Sequence, residues 1–188
     1  MMRRPAVLVA AVLLLVPLTS CTAAPTAPGS PAPSSTAAPV TPDPMDAAEQ
    51  QAQAWLDAAV VPPGAVRVSE SPGEFYSYQG WPCQPVAELE GYWTLADATV
   101  PQAANWLRDN PTADLVSTAG PMRVEEDSPT DAAIVGYIPA DESQQGIVYT
   151  VAKSDSGVII RAEVAALAES AVCPSLEPGS TLGKPGQG

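Results

Sequence analysis

The sequence predicts an α+β domain: an antiparallel sheet with two helices packed on one face. Three observations predict it. Two helix-start signals, Asp43-Pro44 and Thr99-Val100-Pro101-Gln102, each precede apolar residues at helical spacing. Two β-rich runs, 146–153 and 157–167, flank Ser154-Asp155-Ser156 in the pattern of a hairpin. The order is helix, strands, helix, then a run of strands, which favours antiparallel pairing over a βαβ repeat.

The first helix is expected over residues 44–60. Asp43 is the N-cap, Pro44 suits the first helical position, and Asp46 stands near the positive helix end. Met45, Ala48, Ala52, Trp55, Leu56 and Ala59 form its apolar stripe, and Pro62-Pro63-Gly64 stops it. Residues 65–69 read as a strand, Ser71-Pro72-Gly73 as a turn, and 75–78 as a short strand. A loop over 80–85 and a strand over 89–96 follow, with Tyr92 and Trp93 on opposite faces. The second helix starts at a capping box, Thr99 with Gln102, and ends near Asp109 before Asn110-Pro111. Short strands are expected at 115–118, 122–125 and 133–138. Residues 162–170 suit strand or helix, and the hairpin partner favours a strand to about Ala166.

The beginning of the chain carries an address. Arg3 and Arg4 precede an apolar run of 14 residues, 5–18. A membrane span needs about 20 such residues, so the run suits a signal-peptide core. Leu18-Thr19-Ser20-Cys21 resembles the lipobox of bacterial lipoproteins. The resemblance implies cleavage after Ser20 and a diacylglyceryl group on the Cys21 thiol. The mature protein would then sit on the extracytoplasmic face of the cell membrane, held by a lipid anchor. The other reading is an ordinary secretory signal, but the nearest small-residue cleavage site, Thr22-Ala23-Ala24, is followed by Pro25.

Three cysteines are an odd number for an exported chain. Assigning Cys21 to lipid leaves Cys83 and Cys173, whose pairing an oxidising exterior favours. The alternative is two separate buried thiols. No spacing suggests a metal or redox site.

Residues 21–43 are rich in Pro, Ala, Ser and Thr, and their one large apolar residue is Val40. Such a stretch cannot bury enough surface to offset its ordering entropy, and its prolines favour extended polyproline II. The expected organisation is a lipoprotein signal peptide over 1–20, a disordered tether over 21–43, one α+β domain over 44–175 and a loose Gly/Pro-rich tail over 176–188. Within the domain, Pro62-Pro63-Gly64-Ala65, Trp93-Thr94-Leu95 and Trp106-Leu107-Arg108 resemble pieces of uncharacterised secreted proteins and lipoproteins of high-GC Gram-positive bacteria. That resemblance implies no activity.

The chain has 21 acidic and 8 basic residues. Loss of Arg3 and Arg4 with the signal leaves six basic residues and a side-chain balance of −15. This argues against nucleic acid and against electrostatic docking on anionic lipid heads. Solubility explains the charge, and a cationic partner is the sharper alternative.

Little suggests catalysis. The absence of histidine removes Ser-His-Asp and Cys-His chemistry and the commonest transition-metal ligand. No phosphate-binding loop stands between a strand and a helix, and no cofactor or metal is expected. Carboxylates remain as a distant hydrolase or calcium option. Glu88 and Glu90 share a strand face, and Glu125, Glu126, Asp127 and Asp131 crowd one stretch. A solvated loop is the plainer account of the second group. Aromatic residues cluster near Cys83. Tyr76, Tyr78 and Trp81, with Phe75 beside them, are the candidate binding residues, for sugar rings or a protein partner. Covering a small core is the alternative use of these rings. The expectation is thus a non-enzymatic envelope lipoprotein that binds a protein or glycan.

Overall fold

The computed structural model describes residues 43–77, 79–120, 122–140 and 142–187. The signal peptide, Cys21 and nearly all of the tether lie outside the described residues. Eight elements follow in order: α1 (Pro44–Asp57), β1 (Val66–Val68), β2 (Gln84–Ala96), α2 (Val100–Asp109), β3 (Val116–Ser117), β4 (Ala132–Ile138), β5 (Gly146–Ser154) and β6 (Gly157–Val172). The six strands form one sheet in the order β1-β2-β6-β5-β4-β3, with every neighbouring pair antiparallel. The fold is α+β, with a disulfide between Cys83 and Cys173.

Both helices start as their sequences dictate. The Asp43 carboxylate accepts from the Met45 N–H at 3.0 Å. The Gln102 N–H donates to Thr99 Oγ1 at 3.3 Å, and the Thr99 N–H donates to Gln102 Oε1 at 3.0 Å, closing the capping box. Ala48, Ala52 and Leu56 of α1 and Ala103, Ala104 and Leu107 of α2 bury their stripe on the same side of the sheet, against Trp93, Val151 and Ile160. The Gly91 position on β2 is filled from above. A Cβ there would stand 2.8 Å from a Leu56 methyl and from the Trp93 ring.

Two buried tyrosines anchor this core by their polar ends, which pair as buried hydroxyls must. Tyr137 donates to the Leu107 carbonyl at the end of α2. Tyr149 pairs with Thr112 Oγ1 at 2.6 Å and accepts from the Val60 N–H at 3.1 Å. Burial pushes both phenols up to about 12.

Several boundaries differ from the sequence reading. The segment at 75–77 is not a strand; it lies over the outer face of the sheet and is held by side-chain hydrogen bonds. Residues 122–125 form no strand, because Asn105 on α2 takes up both backbone groups of Val124, at 2.7 and 3.0 Å. β2 begins at Gln84, inside the expected loop, and β6 runs to Val172, past the expected strand end near Ala166. The register explains the last two. β2 and β6 pair continuously from Ala96↔Gly157 to Val86↔Leu167, then again at Gln84↔Val172 past a bulge. The long hairpin closes on Asp155 and Ser156 alone, with Ser154 paired to Gly157.

The tail also departs from the expected looseness. The Pro185 carbonyl accepts from Thr118 Oγ1 at 2.8 Å, and the Gly186 N–H donates to Gln79 Oε1 at 2.9 Å. Gly136 permits this approach, since a Cβ on it would fall 2.3 Å from the Pro185 carbonyl oxygen.

Candidate functional site

Alternation on the central strands sends one set of side chains to the helices and the other to the opposite face. On that face β6 presents Arg161 and Glu163. Thr150 and Val148 of β5 stand level with them on one side, and Tyr92 and Glu90 of β2 on the other. A burial pattern this complete is unusual for a charged pair, and the 69–83 loop provides it by crossing above.

The loop is fastened at five points. Cys83 ends it in the disulfide. Arg161 Nη2 donates to the Ser77 carbonyl. The Gln79 N–H donates to Glu163 Oε1 at 3.1 Å. Ser77 and Thr150 share a hydroxyl hydrogen bond at 3.1 Å. The Phe75 ring lies 4.8 Å from the guanidinium carbon of Arg161 and packs on Tyr92. Arg161 Nη2 also donates to Glu163 Oε2 at 2.8 Å, so both carboxylate oxygens of Glu163 are engaged. Burial raises the Glu163 pKa, and the Gln79 N–H and the Arg161 charge oppose that rise. Tyr92 donates to Glu90, and burial together with that carboxylate pushes its phenol up to about 12.

The candidate aromatic residues are not brought together. Trp81 is buried, 7 % exposed, in a small second core with Val148 and Ala165. Tyr76 stands out at 91 % exposed. Tyr78 lies outside the described residues. Phe75 is half-buried as the cover of Arg161. A glycan platform of Tyr76, Tyr78 and Trp81 together is therefore corrected, because Trp81 is buried against Val148 and Ala165 and offers no face. Tyr76 instead borders a shallow groove of about 960 Å³ that passes Met122 and Arg123 and reaches Gly186 and Gln187. Met122 is 82 % exposed. Arg123 is paired with Asp109 at 2.8 Å, and Arg108 donates to the carbonyls of Gly120 and Met122, so the groove wall is braced from α2.

The acidic candidates are dispersed in role. Glu88 and Glu90 are exposed on β2. Glu125, Glu126, Asp127 and Asp131 are exposed on the loop before β4, where Asp131 meets Lys153 at 3.5 Å. Among the described residues no group of three or more Cys, Asp or Glu is placed to hold a metal ion. Nor is any described helix long and apolar enough to cross a membrane.

Sequence reasoning missed Arg161 and Glu163. Their signal was present. A strand apolar on both faces carries two opposite charges two residues apart, hence on one face, and such charges in a fully buried strand must pair. Comparison with protein-family models, with curated proteins and with solved structures finds no match, so the chain's own geometry carries the functional argument.

Proposed function

We propose that the protein is a lipid-anchored, extracytoplasmic binding module and not an enzyme, carried on its Pro-rich tether. The observation that carries this reading is the use made of the interior charges. Arg161 and Glu163 are spent on each other and on the backbone of the 69–83 loop, which lies over them. A catalytic carboxylate needs reach to a substrate; Glu163 has none. What the pair holds in place is Tyr76, an exposed ring at the mouth of the groove past Met122. Exposed aromatic anchors on braced backbone are what binding surfaces use. The lipobox resemblance and Cys21 support the envelope location.

The test is capture from envelope extract by the purified, oxidised full chain, beside Tyr76→Ala. A component retained by the first and lost from the second supports the reading. Equal retention by both would place binding elsewhere. A mature protein without a diacylglyceryl mass on Cys21 would remove the anchor. A glycan partner stays open through Tyr76 alone and is distinguished by whether the captured component is carbohydrate.

A further inference from the structure

A second surface is left over by that reading. β1 pairs with β2 only at Tyr92, Trp93 and Thr94, whereas β6 pairs with β2 along nearly its whole length. Among the described residues no strand adjoins residues 86–91 on the β1 side. Alternate residues of that stretch therefore turn an N–H and a C=O outward, as an edge strand does. Helix α1 runs beside this edge. Its residues Met45, Asp46 and Glu49 face residues 86–89 across a groove of about 600 Å³. A helix flanking an unpaired strand edge is the geometry that accepts an extended peptide as an added strand.

We propose that this groove takes an extended, Lys- or Arg-bearing segment of a partner protein, added as a strand to β2. The proposal deepens the binding-module reading and rests on it. Charge selects the occupant. Asp46 and Glu49 stand on the helix side, Glu88 lines the groove from the strand, and no basic residue lines it. Met45 and Leu89 supply an apolar floor between them. An added strand with alternating side chains would set its basic residues against carboxylates and its apolar ones on that floor.

The same charges exclude the nearer occupants. Antiparallel pairing of two copies centred on Leu89 would set Glu88 of each against Glu90 of the other, which is destabilising for directly opposed like charges. The chain's own residues 21–43 hold six prolines and neither Lys nor Arg. Proline has no N–H to give to a ladder.

The test uses the full chain in detergent micelles and capped synthetic peptides of about eight residues, the length of an ordinary strand. One alternates lysine with valine, one glutamate with valine, one lysine with proline. Binding is read by fluorescence anisotropy and amide hydrogen exchange. The lysine–valine peptide is expected to bind and to slow exchange at residues 86–90, and the other two to do neither. Glu49→Lys combined with Glu88→Lys, both exposed positions, is expected to weaken binding by about tenfold or more with an unchanged circular dichroism spectrum. Equal binding and protection by the lysine–proline peptide would overturn the strand, leaving charge attraction only. Protection outside the edge would overturn the site. Protection, in the free chain, of those amides of residues 86–90 that turn away from β6 would overturn the partner: if it grows with concentration the occupant is a second copy, otherwise the tether. Tyr76-dependent capture from extract together with failure of the peptides would sink this proposal and leave the binding-module reading standing.

Discussion

Arg161 and Glu163, two residues apart on β6, meet at 2.8 Å with their side chains 9 % and 4 % exposed. A charge pair this dry is a weak stabiliser overall but a costly one to break. Removing one partner leaves the other buried and uncompensated, a cost of about 3–5 kcal/mol. Arg161→Leu is expected to lower the unfolding free energy by that much in a urea titration. Adding Glu163→Leu to it is expected to restore most of the loss. A double variant as unstable as the single one would mean that the loop anchorage at Ser77, and not the stranded carboxylate, carries the energy.

The same carboxyl group gives a pH dependence of definite sign. Burial raises the Glu163 pKa above the ordinary 4.5. Between those two values the folded protein holds a proton that the unfolded chain has released. Stability therefore grows as pH falls through the raised value and is fully gained near 4.5. The difference in unfolding free energy between the wild type and Glu163→Gln is expected to shift in favour of the wild type as pH falls through the raised value toward 4.5. A shift the other way would mean that Arg161 outweighs burial.

The docked tail hangs on a glycine. Gly136→Ala would put a methyl 2.3 Å from the Pro185 carbonyl oxygen, so the backbone must separate. Overpacking of this kind costs about 1–3 kcal/mol. Faster amide exchange at Gly186 and Gln187, with β5 and β6 unaffected, is the expected result. Unchanged exchange at Gly186 would show that the tail's contact with Gln79 suffices without close approach to β4.

The Cys83–Cys173 bond spans 90 residues. In the chain-entropy account, closing a loop of that length removes about 4.6 kcal/mol of unfolded-state freedom. Cys83→Ser with Cys173→Ser is expected to lose several kcal/mol in chemical unfolding, and reductant to act equally on the wild type. No loss would mean that β2 and β6 already constrain the unfolded chain.

Much of the fold was legible because local rules and tertiary packing agreed. Asp43 and Thr99 cap the helices they signal, and Ser154-Asp155-Ser156 turns the hairpin it predicts. The misses share a cause. Val124 forms no strand because Asn105, distant in sequence, takes its backbone groups. Gln84 joins β2 despite Pro82 and Pro85 because β6 extends to meet it. The candidate site was read one layer too shallow. Proximity in sequence grouped Tyr76 with Trp81, but the alternation of exposure along an irregular loop is not fixed by any period. The buried pair that positions the loop lies 84 residues beyond Ser77 and Gln79.

The strand order also prescribes a timetable. β5 and β6 are joined by two residues and can zip within about 1–10 μs of chain collapse, the pace of an isolated hairpin. β2 must find β6 across an interval that includes α2 and three strands, a loop closure that is slow because its entropy is lost before contacts form. Oxidation of Cys83 with Cys173 has to wait for that encounter, since the two thiols meet only where the far ends of β2 and β6 come together. The hairpin can accordingly form while both thiols are still open to trapping.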